Sequence, residues 1–130
     1  MGTLTEAQRA FIREPYYAVV TTLRADGSPH STVVWVHEED GNILFNTAYP
    51  RRKPRELERD PRASVVVVDP ADGYRWLAVS GPVTLTTDGA NADINRLSHK
   101  YDGRDYQGFN DRETRVTARL TPEKVHAYGV

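Results

Sequence analysis

The 130-residue chain contains no cysteine. That excludes a disulfide framework, a thiolate metal site and a cysteine nucleophile, and it fits a cytoplasmic protein. His30, His37, His99 and His126 are scattered without HxH or HExxH spacing, so no metal site is expected from them. The nine glycines form neither GxGxxG nor a Walker P-loop, which removes the usual dinucleotide and nucleoside-triphosphate cradles. GxSxG is also absent, and Ser98 and His99 are helix neighbours whose side chains point apart, so no acyl-transfer triad is expected. No apolar run approaches the roughly 20 residues that cross a membrane, and the first residues lack the apolar core of a signal peptide. Nor is one sign of charge in excess: 17 basic against 18 acidic residues argue against a broad phosphate-neutralising face for nucleic acid. The expectation is one soluble cytoplasmic domain over residues 1–130, within the commonest domain size of roughly 100 to 150 residues.

What is present reads as a β-rich chain. Thr3 and Glu6 have capping-box spacing before Leu4, Ala7 and Phe11, so a helix is expected from about Leu4 to Arg13, stopped by Pro15. Ala18 to Leu23, His30 to His37 and Ile43 to Thr47 are β-branched or alternating runs separated by turn-forming clusters, and predict an antiparallel meander. Pro54 suits the first position of a short helix ending near Arg59, with Leu57 as its one inward anchor. Ala63 to Asp69 is apolar on both faces, as a central strand would be. Tyr74 to Leu85 is a long strand that Gly81 and Pro82 must bend, a feature of sheets that curl into barrels. Ile94, Leu97 and Tyr101 mark an amphipathic helix over Asn91 to Tyr101, and Asp102 to Arg112 a polar loop. Thr114 to Leu120 and Val125 to Tyr128 supply closing strands. The total is six or seven strands and three short helices, a small antiparallel barrel.

One stretch carries chemistry. Between the end of one strand at Thr47 and the start of the next at Ala63 lie Arg51, Arg52, Lys53 and Arg55, with Glu56, Glu58 and Asp60 behind them. Guanidinium forks, an ammonium and a hydroxyl suit phosphate or carboxylate oxygens, and a helix N-terminus beside them adds to the same field. The bland alternative is a solvated charged helix. No nucleophile, general acid or general base stands out. An anion site without such groups fits a protein that positions a bound cofactor and leaves the chemistry to it.

The runs TTLRADGSPHSTVVWV, ILFNTAYPRRKPRELERDPRASVVV and DGYRWLAVSGPVTL, in this order and spacing, resemble the pyridoxamine-phosphate-oxidase-like, FMN-binding split β-barrel superfamily. Within it the chain resembles the short B-type flavin/deazaflavin oxidoreductases. The resemblance implies a mainly β, antiparallel split barrel with peripheral helices. It further implies a homodimer with two cofactors in grooves at the subunit interface. By the same resemblance Thr47, Arg51, Lys53 and Arg55 hold the cofactor phosphate, and the strand from Val33 to Val36, with Val34 and Trp35, lies against the ring system. Ala63 begins the strand beneath the ring, and Trp76, with Tyr74, approaches from the partner or lines the substrate face; ordinary packing is the other reading of both tryptophans. FMN-binding relatives carry Ser-Arg-Lys where this chain has Arg51-Arg52-Lys53. A cation in place of that serine favours coenzyme F420, whose phosphodiester-linked oligoglutamate tail offers carboxylates to Arg52 or Arg55. The residues Tyr128-Gly129-Val130 lack the basic pattern that pyridoxamine phosphate oxidases use on their substrate, so that activity is not expected. The expected function is hydride transfer from reduced F420 to a hydrophobic enone, quinone or tetrapyrrole. An FMN-dependent oxidoreductase and a non-catalytic flavin-, F420- or haem-binding barrel are the alternatives.

Overall fold

In the computed structural model, which describes residues 2–130, the chain runs α1 (Glu6–Arg13), β1 (Ala18–Leu23), β2 (Pro29–Val34), β3 (His37–Glu39), β4 (Asn42–Tyr49), α2 (Arg52–Arg59), β5 (Arg62–Asp69), β6 (Asp72–Thr86), α3 (Ala90–Asp102), β7 (Thr114–Leu120) and β8 (Lys124–Tyr128). The strands form one antiparallel sheet in the order β2-β1-β5-β6-β7-β4-β3, with β8 beside β6. The two ends of that path, β2 and β3, are joined in sequence by Trp35 and Val36 alone. A sheet whose opposite edges are two residues apart along the chain has to curl round on itself. The open seam between those edges makes it a split barrel.

Strand β6 makes the curl possible. Along one edge it pairs with β5 from Asp72 to Pro82. Along the other it pairs with β8 over Trp76 to Ser80 and with β7 over Val83 to Thr86. Gly81 and Pro82 stand where the partner changes. A Cβ at Gly81 would overlap the Thr121 carbonyl, while Thr121 N donates to Pro82 O at 3.0 Å and Glu123 N to Ser80 O at 2.8 Å. The expected bend is therefore a change of partner, and glycine is needed there because a neighbouring backbone crosses it. The barrel is filled by Val20, Ile43, Phe45, Val65, Val67, Leu77, Val79 and Leu120, with Phe11 and Ile12 of α1 and Leu57 of α2 plugging it.

Several sequence expectations change. The helix cap is Thr5: its hydroxyl accepts from Gln8 N and the Gln8 side chain accepts from Thr5 N, so the box sits two residues later than Thr3 and Glu6. The run His30 to His37 is two strands, because the chain turns the seam corner at Trp35 and Val36. Glu38 and Glu39 belong to β3, and the turn narrows to Asp40-Gly41, both with positive φ, 53° and 80°, as a two-residue hairpin requires. The strand count is eight. Helix α2 starts earlier, so Pro54 is its third residue, still in the first turn where backbone N–H groups lack intrahelical acceptors. Leu57 shares its inward face with Pro54 and Glu56.

Strand β5 is buried on one face only. Val66 and Val68 are exposed, continuing a row through Val19 to Val33 by the register Val66↔Val19 and Val19↔Val33. Val33 is 66% exposed, Tyr74 78% and Tyr128 60%. An apolar face this continuous is unusual on a monomer's surface.

Candidate cofactor site

Helix α2 leaves β4 with its first turn unsatisfied. Arg51 is the N-cap residue and makes no side-chain cap, and the first turn contains no acid. The positive end of the helix dipole thus meets Arg51, Arg52 and Lys53, an arrangement that repels itself unless an anion joins it. The helix is held in place from behind. Buried Glu56 accepts from the Thr22 hydroxyl at 2.6 Å and lies 2.8 Å from His30 Nδ1, so α2 is tied to both strands of the first hairpin. Burial alone would raise the Glu56 carboxyl. The bonds from Thr22 and His30, with the charges of His30 and Arg24, hold it below its usual value.

In front of this helix end lies a cleft of about 280 Å³. Thr47 of β4, Arg51 and Lys53 supply its hydroxyl and its cations, and Asn46 lies beside them. Val33 and Val34 of β2, Trp35 at the seam corner, Tyr17, and Ile94 and Leu97 of α3 supply apolar walls, with Tyr106 from the loop after α3. The corner is fixed by α3. The Trp35 ring stacks on Tyr101 at 5.5 Å and 11°, and the Tyr101 hydroxyl donates to Tyr16 O at 2.6 Å and accepts from Val36 N at 3.1 Å. Burial pushes that phenol up to about 12. Lys100 donates to Ile12 O at 2.7 Å and Val36 O at 2.6 Å, and burial brings its ammonium down to about 8.

The cations differ in what they already bind. Arg51 makes a bidentate pair with Glu113, Nε to Oε2 at 2.6 Å and the terminal nitrogen to Oε1 at 3.0 Å. Lys53 forms no hydrogen bond or ion pair among the described residues, and burial followed by the nearby Arg51 charge lowers its pKa. Neither does the Thr47 hydroxyl, although Thr47 is only 2% exposed. Two unmatched polar groups at the mouth of an uncapped helix are what a phosphate would satisfy.

Of the residues expected from sequence, Val34, Trp35, Thr47, Arg51 and Lys53 meet in this cleft. Arg52 and Arg55 point to solvent without ion-pair partners among the described residues. Ala63 lies in the core at the start of β5. Trp76 is half-buried on β6, paired across the sheet with Val68 and Tyr128, away from the cleft of its own chain.

Sequence reasoning missed the network under the cleft. Arg115 of β7 is buried, donates to Asn46 Oδ1 at 2.8 Å and lies over the Tyr106 ring at 5.3 Å. Asn46 in turn donates to Ala90 O at 3.0 Å, tying β4 to α3. Burial lowers the Arg115 pKa. Asn46, directly after the apolar run Ile43 to Phe45, was the available signal. Its partner was hidden by a register that sets Asn46 opposite Thr117 and Ala48 opposite Arg115.

The curled sheet, its seam and the three peripheral helices define the split-barrel class. The chain belongs to the pyridoxamine 5'-phosphate oxidase family, whose model matches residues 4–129. It is similar to the F420H(2)-dependent biliverdin reductase of Mycobacterium tuberculosis, with 29% identity over 85 residues that cover 65% of this chain and 61% of the relative. It is also similar to a pyridoxine/pyridoxamine 5'-phosphate oxidase of Acidothermus cellulolyticus, with 39% identity over 84 residues that cover 65% of this chain and 37% of the relative. The chain spans less than two thirds of the length of these curated relatives. Among solved structures, one described as an F420 reductase superposes with a TM-score of 0.84 at 27% identity, covering 95% of this chain and 98% of that one.

Proposed function

We propose that this protein is an F420-dependent oxidoreductase that reduces an activated double bond in a hydrophobic substrate of the enone, quinone or tetrapyrrole type. The observation that carries the reading is the pairing of Lys53 and Thr47, both unmatched, at the uncapped start of α2, with apolar and aromatic walls around them. Lys53, Thr47 and the free edge of Arg51 would hold the phosphate. Val33, Val34 and Trp35 would lie against the ring. Arg52 and Arg55, exposed on α2 itself, remain available to tail carboxylates. Reduced F420, when bound, supplies a hydride. The chain's part is to orient the two reactants and keep water from the apolar walls. Among the described residues the cleft is lined by no Asp, Glu or His, which fits protonation from solvent or from a tyrosine. The F420-linked names of one curated relative and one solved structure support this cofactor. FMN is the second reading, favoured by the family as a whole.

The test is a parallel titration of cofactor-free protein with F420 and with FMN, read by quenching of Trp35 fluorescence. F420 is expected to bind the more tightly. The reverse preference would make this a flavoprotein, and binding of neither would reduce the Arg51 to Arg55 cluster to a solvated face.

The reading includes a homodimer. The exposed row Val33, Val19, Val66 and the neighbouring Val68, Tyr74 and Tyr128 form the face for a second copy, and Val33 belongs both to that face and to the cleft. A partner there would complete the cleft's rim. Val66→Arg would bury a charge at the centre of such an interface and is expected to give a monomer at micromolar concentration. Sedimentation equilibrium checks this, and a wild-type protein that already sediments as a monomer would refute the dimer.

A further inference from the structure

Arg51 has two bidentate edges, and one is already taken. Glu113, the residue before β7, holds the Nε edge with bonds of 2.6 and 3.0 Å, leaving the end-on edge for any ligand in the cleft. The Glu113 side chain is 20% exposed against 50% for Arg51. The arginine side of the pair is open to solvent, so its field is fullest at low ionic strength. Glu113 is braced by Asn110 Nδ2 at 3.3 Å and faces the buried Arg115 guanidinium at 4.0 Å. The bond from Arg51 holds its carboxyl below the usual range, so it stays charged at neutral pH. Lys53 is the cation of the cleft that no acid touches.

We propose that Glu113 is a specificity-determining residue: its fixed negative charge beside Arg51 tunes the anion end to a singly charged phosphodiester and against a doubly charged phosphomonoester. This rests on the reading that Lys53, Thr47 and Arg51 receive the phosphate. A carboxylate at fixed distance repels a dianion with twice the energy it applies to a monoanion, because Coulomb energy is linear in charge. At pH 8 a phosphomonoester, with its second pKa at about 6, is a dianion. A phosphodiester carries one charge at any ordinary pH. Without Glu113 the site would gain a unit of positive potential and an open fork, and it would favour the monoester. Direct contact with the ligand is not required of Glu113, and its effect scales with ligand charge in a way that lost packing would not.

The test uses three ligands that share one ring system: riboflavin, uncharged; riboflavin 4',5'-cyclic phosphate, a monoanionic diester; and FMN, a dianionic monoester. F420 is run beside them, all at pH 8 and low ionic strength, where screening is weakest. In Glu113→Gln, riboflavin affinity is expected to be unchanged, the cyclic diester to bind about threefold more tightly, FMN about tenfold, and F420, whose tail carboxylates add to its diester charge, at least about threefold. Glu113→Ala makes the same charge change without an amide and is expected to give the same series; Glu113→Asp is expected to keep wild-type selectivity. Weaker binding of the charged ligands in both neutral variants would show that Glu113 merely positions Arg51, and equal tightening of all three ring ligands would show a packing effect. FMN that is undetectable with the wild type and stays so in both neutral variants also overturns the proposal. Lys53→Ala separates the two levels. If it leaves the charged ligands unaffected, the placement of the phosphate fails; if it weakens them while the Glu113 variants break the expected series, only the role of Glu113 fails.

Discussion

Lys53→Ala is expected to weaken F420 binding about fiftyfold, the loss of one charge-assisted hydrogen bond from a partly desolvated site. Lys53 has no partner among the described residues, so its removal orphans none of their polar groups. The whole effect should appear in the dissociation constant, with the melting temperature nearly unchanged. Burial and Arg51 already lower its pKa from the usual lysine value of 10.5, and an anion in contact would raise it again. Binding therefore takes up protons in the alkaline range, and wild-type affinity should fall as pH climbs toward 10.5. Lys53→Ala should lack that limb. Glu58→Ala is the control: its carboxylate is exposed and accepts from the Tyr49 hydroxyl at 2.6 Å, outside the cleft, so less than a twofold change is expected. Titrations of the three proteins between pH 6 and pH 10 decide it, and equal affinities would remove the phosphate from Lys53.

Glu56→Ala is expected to cost about 3 kcal/mol of stability, near 10 °C in melting temperature, because it strips the acceptor from a buried Thr22 hydroxyl and from His30. Glu56→Gln, which keeps an acceptor without the charge, should recover part of it. The sign of the pH dependence follows from the lowered carboxyl. With the folded pKa below the unfolded value of 4.5, the contribution is complete above that value and is lost as pH falls through the folded pKa. Glu38, bonded by Arg9, Arg13 and Gly41 N, is lowered too, although burial acts against it, and works in the same window. Thermal unfolding followed between pH 3 and pH 7 should show a shallower acid limb in Glu56→Ala. An unchanged limb would mean that Glu56 does not anchor α2.

The strands were legible because β-branched runs separated by Asp-Gly and Pro-rich turns leave few other readings. Ala18–Leu23 and Thr114–Leu120 have the bounds that alternation marks. The seam was not legible. Nothing local in HSTVVWVH distinguishes one strand from two, since the break at Trp35 follows from closure of the sheet onto β3. The knot of cations and a hydroxyl was legible as residue types, and three of its members, Thr47, Arg51 and Lys53, line one cleft with Val34 and Trp35. Which of the four cations is already neutralised was hidden, because Glu113 lies far from Arg51 in sequence and meets it only through the β4–β7 pairing, with Ala48 opposite Arg115. The same distance hid Arg115 beneath Asn46.

Tyr106 borders three depressions at once: the cleft, an open hollow against Asn91 and Asn95, and the groove leading to Arg112 and Glu113. It comes from the segment between α3 and β7, whereas Thr47 and Lys53 come from β4 and α2. The two walls of the cleft are thus written in separate parts of the chain. In evolutionary terms that is modularity: changes in the segment around Tyr106 would reshape one wall of the cleft while Thr47 and Lys53 on the other stay untouched. A cleft divided in this way can change one wall without rebuilding the other.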